Sequence, residues 1–255
     1  MTDALLQVKN LSKRFGGIVA TDDLSLDVRQ GELHALIGPN GAGKTTLITQ
    51  LTGQLTPDSG AVLFAGEDIS SLPAYQRSQL GLARSFQITS LFLDMTALDN
   101  VALAVQAHAG HSFRFWAPAR GEAELRDPAR AALARVGLGE RMNVRAAAMS
   151  HGEHRLIEIA MALAAKPRLL LLDEPMAGLG PEESARMVTL LRELKRDYAV
   201  LLVEHDMEAV FALADRITVL VYGRAIATGA PDAIRANEDV KRAYLGEQKA
   251  VTRHG

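Results

Sequence analysis

The chain has 255 residues, 48% of them hydrophobic, enough to bury a sizeable core as one large α/β domain with an insertion or as two modest units. Its 28 basic and 30 acidic side chains leave a formal charge of −2, which gives no electrostatic reason for a nucleic-acid partner, and without cysteine it has neither disulfide nor thiolate chemistry. The opening MTDALLQVKN lacks a charged segment followed by a long apolar stretch, and no apolar run approaches the roughly 20 residues of a spanning helix, so the expectation is a soluble chain in a reducing cytosol.

From the N-terminus, LLQVKNLSKRF at 5–15 and LSLDVRQGE at 24–32 alternate apolar and polar residues beside turn formers and read as antiparallel strands. Next, ELHALIGPNGAGKTTLITQLTG at 32–53 is an apolar strand, a glycine-rich loop and a stretch of helical period. The turn cluster LTPDSG leads to a short strand, AVLFAG, at 61–66. Residues from about 90 to 167 are alanine-rich and helical in pattern. They are interrupted at 108–122 by HAGHSFRFWAPARGE, which holds the only tryptophan and reads as a loop or an extra hairpin. From PRLLLLDEP the strand–helix alternation returns, with AVLLVEHD, RITVLVYG and RAIATG as strands and helices at 181–196, 206–214 and near the C-terminus. Short apolar strands between helices argue for a parallel sheet covered on both faces.

GPNGAGKT at 38–45 fits G-x-x-x-x-G-K-[ST] in full, between a strand and a helix. Gly38, Gly41 and Gly43 let the backbone turn tightly, so that N–H groups converge on phosphate oxygens at the positive end of the following helix. The Lys44 ammonium neutralises β/γ-phosphates and the Thr45 hydroxyl coordinates magnesium, which defines a nucleoside triphosphate site.

LLLLDEP at 169–175 ends a buried strand with two carboxylates. Asp173 at the sheet edge suits Mg²⁺ held through water, and Glu174 suits a base that orients or deprotonates an attacking water. Acids also follow strands simply to begin turns, but the phosphate loop about 130 residues upstream favours the chemical reading. RSFQ ends at Gln87, whose amide can reach the magnesium, and LLVEHD ends a strand at His205, whose imidazole can meet the γ-phosphate. Taken alone, each reads more simply as an ordinary surface glutamine or strand-end histidine, and only their joint order with the other motifs favours the chemical reading.

MSHGEHR at 149–155 has two readings. His151 and His154 could ligate a metal on one helical turn, but no cysteine and no third ligand of fitting spacing accompany them. Alternatively, Ser150 and Gly152 open a helix whose Leu156, Ile159, Ala160 and Leu163 form an i, i+3, i+4, i+7 stripe, with Ser150 as N-cap and the helix start as an anion site.

Phosphate loop, glutamine, SHGE, LLLLDE and histidine, in that order, resemble the ATP-binding cassette (ABC) family over about residues 5–246. The resemblance implies an α/β fold, the P-loop NTPase nucleotide-binding domain with a mixed sheet core, an N-terminal antiparallel β-subdomain and an inserted α-helical subdomain. One domain would cover 4–247, with a RecA-like core at about 4–87 and 167–247, a helical subdomain at about 88–166, and a tail at 248–255. Met149, Ser150, His151, Gly152 and Glu153 stand where the family carries its leucine-serine-glycine-glycine-glutamine signature; His151 departs from glycine and Glu153 from glutamine. Gly180, in AGLGPEE, stands where many members carry aspartate. Phe15, in KRFGG, holds the place of an aromatic that stacks on adenine; the competing reading is a buried core phenylalanine.

By this resemblance, ATP and Mg²⁺ are bound by Phe15, by the loop Gly38, Pro39, Asn40, Gly41, Ala42, Gly43, Lys44, Thr45 and Thr46, and by Gln87 and Asp173 of one chain. Ser150, Gly152 and Glu153 come from another. Thr45, Gln87 and Asp173 serve the metal, and Glu174, His205 and Lys44 serve hydrolysis. FGGIVA, GLARSFQ, the aromatic-bearing insertion at 111–118, EPMAGLGPEE and the ending YGRAIATGAPDAIRANEDVKRAYLGE resemble the importer branch for branched-chain amino acids and related solutes. The alternatives are the lipopolysaccharide-export ATPase, similar in its AYLG-type end and its GEHRLIEIA-like helix, and a non-transport ABC ATPase. The implied partners are a second ATPase subunit, identical or paralogous, in a head-to-tail dimer, two transmembrane permeases and, indirectly, a periplasmic solute-binding protein. The implied location is the cytoplasmic face of the inner membrane.

Overall fold

The computed structural model describes residues 4–84, 91–109 and 123–243; Gln87, the insertion at 111–118 and the tail at 248–255 lie outside them. The strands are β1 (Ala4–Phe15), β2 (Ile18–Arg29), β3 (Leu33–Ile37), β4 (Ser59–Phe64), β5 (Glu67–Asp68), β6 (Leu82–Arg84), β7 (Leu169–Asp173), β8 (Ala199–Val203), β9 (Arg216–Val221) and β10 (Arg224–Gly229). The helices are α1 (Lys44–Leu51), α2 (Ala74–Gln79), α3 (Ala97–Ala109), α4 (Ala123–Arg135), α5 (His151–Ala164), α6 (Pro181–Leu194), α7 (Met207–Leu213) and α8 (Pro231–Ala236).

Two sheets result. The first is antiparallel in the order β2-β1-β4-β5, and the second is six-stranded in the order β10-β9-β3-β8-β7-β6. In the second, β6, β7, β8, β3 and β9 run parallel, while β10 returns antiparallel along β9. That return is a two-residue hairpin whose central residues, Tyr222 (φ 47°) and Gly223 (φ 79°), both have positive φ, as the twist of such tight hairpins demands. The sheet is mixed for that reason. Strand β6 has only three residues and carries no periodicity by which a sequence could announce it.

The parallel strands are apolar throughout because the alternating side chains feed two cores. Leu170 and Leu172 of β7, with Val200 and Leu202 of β8, pack under α3, α4, α5, α6 and α7. Leu169, Leu171, Leu201 and Val203 point the other way, onto α1 and the antiparallel sheet. Each fully buried leucine is worth about 1.5–3 kcal/mol. Among the described residues, no helix is long and apolar enough to cross a membrane.

Two buried cations or near-cations sit in this framework. Arg77 of α2 is 1% exposed, and its guanidinium donates to Gln50 O and Leu51 O (2.8 Å each), Leu72 O (2.9 Å) and Ser70 O (2.9 Å). It therefore caps the negative end of α1.

His34, in the middle of β3, is 0% exposed, and its Nε2 lies 2.8 Å from Thr218 Oγ1. Burial, and next the nearby Arg216 guanidinium, push its pKa down from 6.5 to about 4. The unfolded chain thus binds the extra proton between these two values, and stability falls as pH drops from 6.5 towards 4. Denaturant unfolding should give a stability lower by about 2 kcal/mol at pH 5 than at pH 7.5 from this group. His34→Leu should flatten that part of the profile; an unchanged slope would assign the loss to other groups.

Candidate functional site

The loop between β3 and α1 is held by backbone packing. A Cβ added at Gly38 would stand 2.1 Å from Leu220 O, and one at Gly43 (φ +103°) would stand 2.2 Å from Ala20 O. Gly223 N donates to Ala42 O (2.9 Å), tying the β9–β10 turn to the same loop. Gly41 has φ +77° and nothing within 4 Å of a built Cβ, so the loop is open on that side. Lys44 is buried, and its Nζ donates to Gly38 O (2.6 Å) and Pro39 O (2.9 Å). Asn40 and Thr45 are exposed and Thr46 is half-buried. An open glycine cradle, a tethered ammonium and the N-terminus of α1 fit a polyphosphate.

Phe15 closes β1 against Ile18 of β2 and is 49% exposed, with Lys13 Nζ 5.8 Å from its ring centroid. It is not a core phenylalanine.

Asp173 ends β7 and is 4% exposed. Arg84, the last residue of β6, donates through Nη2 to Asp173 Oδ2 (3.0 Å) and through Nη1 to Gln54 Oε1 (3.0 Å). Burial raises the Asp173 carboxyl above its usual range; Arg84 opposes this, Glu174 adds to it, and Lys44 pulls it back. A carboxylate and a threonine hydroxyl are the hard-oxygen donors that Mg²⁺ requires. The next residue, Glu174, adopts φ +51°, a left-handed conformation costing on the order of 1–3 kcal/mol outside glycine. Its N–H donates to Val203 O (2.8 Å), and its Oε1 lies 2.7 Å from His205 Nε2. The structure thus brings Glu174 and His205 together at the ends of neighbouring strands.

Two side chains here escaped sequence reasoning. One is Arg84, 89 positions from its partner Asp173. The other is Glu204, buried beside His205, whose carboxylate accepts N–H bonds from Met176, His205 and Asp206. Neither carries a sequence signal: Arg84 ends a strand of only three residues, and the burial of Glu204 arises only on folding.

Ser150 is the N-cap of α5 and forms a reciprocal capping box with Glu153: Glu153 N donates to Ser150 Oγ (3.2 Å) and Ser150 N to Glu153 Oε2 (2.8 Å). Arg141 pairs with the same carboxylate. The Glu153 charge is thereby engaged by its own helix start and one guanidinium. His151 Nε2 lies 3.3 Å from Ala177 O and His154 Nε2 2.7 Å from Ala146 O, so the two imidazoles serve different carbonyls. Ser150 Oγ also donates to Glu183 Oε1 (3.3 Å), and a Cβ at Gly152 would meet that same oxygen at 2.4 Å. Gly180 caps α6, donating its N–H to Glu183 Oε2 (3.3 Å), and a side chain there would meet nothing within 4 Å.

A parallel strand running into a tight glycine loop and a helix, with a buried acid ending a strand two places along the same sheet, defines a P-loop nucleoside triphosphatase. Comparison with known proteins narrows the class. The ABC transporter family matches residues 21–177, and the branched-chain amino acid ATP-binding cassette transporter family matches residues 226–250. The chain belongs to the ABC transporter family and is one of its ATP-binding, ATP-hydrolysing subunits.

It is 41% identical over 254 residues to the high-affinity branched-chain amino acid transport ATP-binding protein LivG of Salmonella typhimurium, covering 97% of this chain and 100% of the relative. Against BraF of Pseudomonas aeruginosa, another high-affinity branched-chain amino acid transport ATP-binding protein, the identity is 40% with the same coverage. Among solved structures, the ADP conformation of an ATP-binding cassette of an ABC transporter superimposes with a TM-score of 0.86 at 30% identity, over 96% of this chain and 100% of that one. A nucleotide-free cassette gives 0.85 at 28% identity, over 95% and 99%.

The loop geometry makes a direct prediction. Gly43→Ala should lower the melting temperature and remove the ATP-induced rise in it, because the added Cβ has no room beside Ala20 O. Gly17→Ala, at a position with open space, should melt and respond like the unaltered chain. An ATP-induced rise retained by Gly43→Ala would show that the loop can shift away from β2.

Proposed function

We propose that this subunit powers uptake of branched-chain amino acids or related small solutes, as one of two cassettes paired head to tail under two membrane permeases. A periplasmic binding protein would deliver the solute, and the cassettes would lie on the cytoplasmic face of the inner membrane. The names of the LivG and BraF relatives and the match at 226–250 support the solute class. The observation that carries the hydrolytic reading is the 2.7 Å contact between Glu174 Oε1 and His205 Nε2.

In this reading adenine stacks on Phe15, and the phosphates accept N–H bonds from residues 38–46. The Lys44 ammonium exchanges its present partners, the carbonyls of Gly38 and Pro39, for β- and γ-phosphate oxygens. Thr45, Asp173 and Gln87 would hold Mg²⁺, which would supply charge neutralisation for the phosphates. Glu174 accepts a proton from the attacking water while the water's oxygen forms a bond to the γ-phosphorus and the bond from that phosphorus to ADP breaks. His205 donates to the γ-phosphoryl oxygens.

Ser150 of the partner subunit gives its hydroxyl, and Gly152 of the partner subunit its N–H, to the same phosphate. In doing so the hydroxyl leaves Glu183, exchanging one anion for another. Glu153 acts as the cap that fixes Ser150. We infer that the helical segment around 88–108 passes the motion of closing and opening to the permeases.

Lys44→Ala should nearly abolish ATP binding. Glu174→Gln should keep ATP affinity, lower turnover by about 10²–10⁴-fold and accumulate ATP-bound dimer on size exclusion. Turnover by Glu174→Gln near the wild-type rate would remove Glu174 as the base. For the solute, leucine uptake by cells carrying Lys44→Ala in place of the wild-type chain should stop; continued uptake would refute the import reading.

A further inference from the structure

Glu204 is 4% exposed, and the hydrolytic steps make no use of it. Its Oε1 accepts the Met176 N–H (2.9 Å), and its Oε2 accepts the N–H groups of His205 (2.8 Å) and Asp206 (3.3 Å). Met176 lies two residues beyond Glu174, and His205 is the next residue after Glu204. One carboxylate therefore joins the loops that leave the neighbouring parallel strands β7 and β8.

The side chains it lies between have little packing of their own. Glu174 and His205 are 36% and 44% exposed, so their positions depend on the backbone that carries them. Glu174 is moreover held at φ +51°, a conformation that survives only where the surroundings over-determine it. Its own N–H bond to Val203 O (2.8 Å), the bond its carbonyl accepts from Ala177 N (3.1 Å) and the Glu204 clamp two residues on hold it there.

We propose that Glu204 is a positioning residue for hydrolysis. It sets the spacing between the Glu174 carboxylate and the His205 imidazole without touching nucleotide or water. The inference rests on the roles given to Glu174 and His205 above. An acid is required because three N–H donors converge on both oxygens, and hydrogen bonds to a charged acceptor are the stronger kind. The amide of glutamine has the same size but offers one accepting oxygen, so its NH₂ would face a donor.

The test uses the full chain, in the wild-type and Glu174→Gln backgrounds, with kcat, KM, ATP affinity and melting temperature measured for each. Glu204→Gln should hold KM and ATP affinity within about threefold while kcat falls about 10- to 100-fold, the size of effect that displacement of a reacting group produces. In the Glu174→Gln background it should cause no further loss, because the group it positions is already gone. A merely structural Glu204 would instead lower melting temperature and ATP affinity together, and would cut residual turnover by the same factor in both backgrounds; that result overturns the proposal.

Wild-type kcat in Glu204→Gln beside a slow Glu174→Gln overturns this inference alone. Wild-type kcat in Glu174→Gln overturns the assignment beneath it, and this inference with it. Should Glu204→Gln fail to fold, Glu204→Asp keeps the charge and shortens the reach. A reduced kcat at unchanged KM in that variant supports the clamp, and a wild-type kcat overturns it.

Discussion

The loop at 38–45 faces outward because its backbone is pressed against two carbonyls, Leu220 O of the six-stranded sheet and Ala20 O of the antiparallel one. Neither contact leaves space for a methyl group, so at Gly38 and Gly43 main chain meets main chain directly. This double contact places the loop where the two sheets meet. It also fixes the direction of α1, and the Lys44 ammonium of the free chain donates to the loop's own carbonyls of Gly38 and Pro39. The turn at Tyr222–Gly223 belongs to the same arrangement, since Gly223 N holds Ala42 O.

From that fixed edge the remaining polar groups follow by strand adjacency. Strands β6, β7 and β8 lie side by side and parallel, so Arg84, Asp173 and the Val203–Glu204–His205 segment emerge at the same edge although they are far apart in sequence. Buried charge there is matched locally. Asp173 meets Arg84, and Glu204 meets three main-chain donors. Burying any of these acids without a partner would cost several kcal/mol, roughly the margin of a whole domain.

What could be read from sequence was local in range. GPNGAGKT and LLLLDEP announce their elements because glycine spacing and an unbroken apolar run are properties of consecutive residues. Four leucines in succession already imply a strand buried on both faces, with Asp173 at its end. Ser150 was legible as an N-cap by its position before an apolar stripe, and the partnership of Glu153 with Ser150 follows a three-residue spacing. The ion pair of Glu153 with Arg141, the seat of Glu183 over Gly152 and the pairing of Arg84 with Asp173 were not legible, since each depends on segments that meet only after folding. Phe15 was ambiguous for a different reason: strand alternation tells which residues share a face but not which face a hairpin end leaves open. Glu204 was overlooked beside a histidine with more obvious chemistry.

Arg77 bears on how the chain meets its nucleotide. Its guanidinium already occupies the carboxyl pole of α1, a helix of eight residues and so about 12 Å long, through Gln50 O and Leu51 O. The desolvation of that cation is incurred once, when the polypeptide folds. An incoming triphosphate at the amino pole therefore completes a row of alternating charge, anion, dipole and cation, whose far half has been built beforehand.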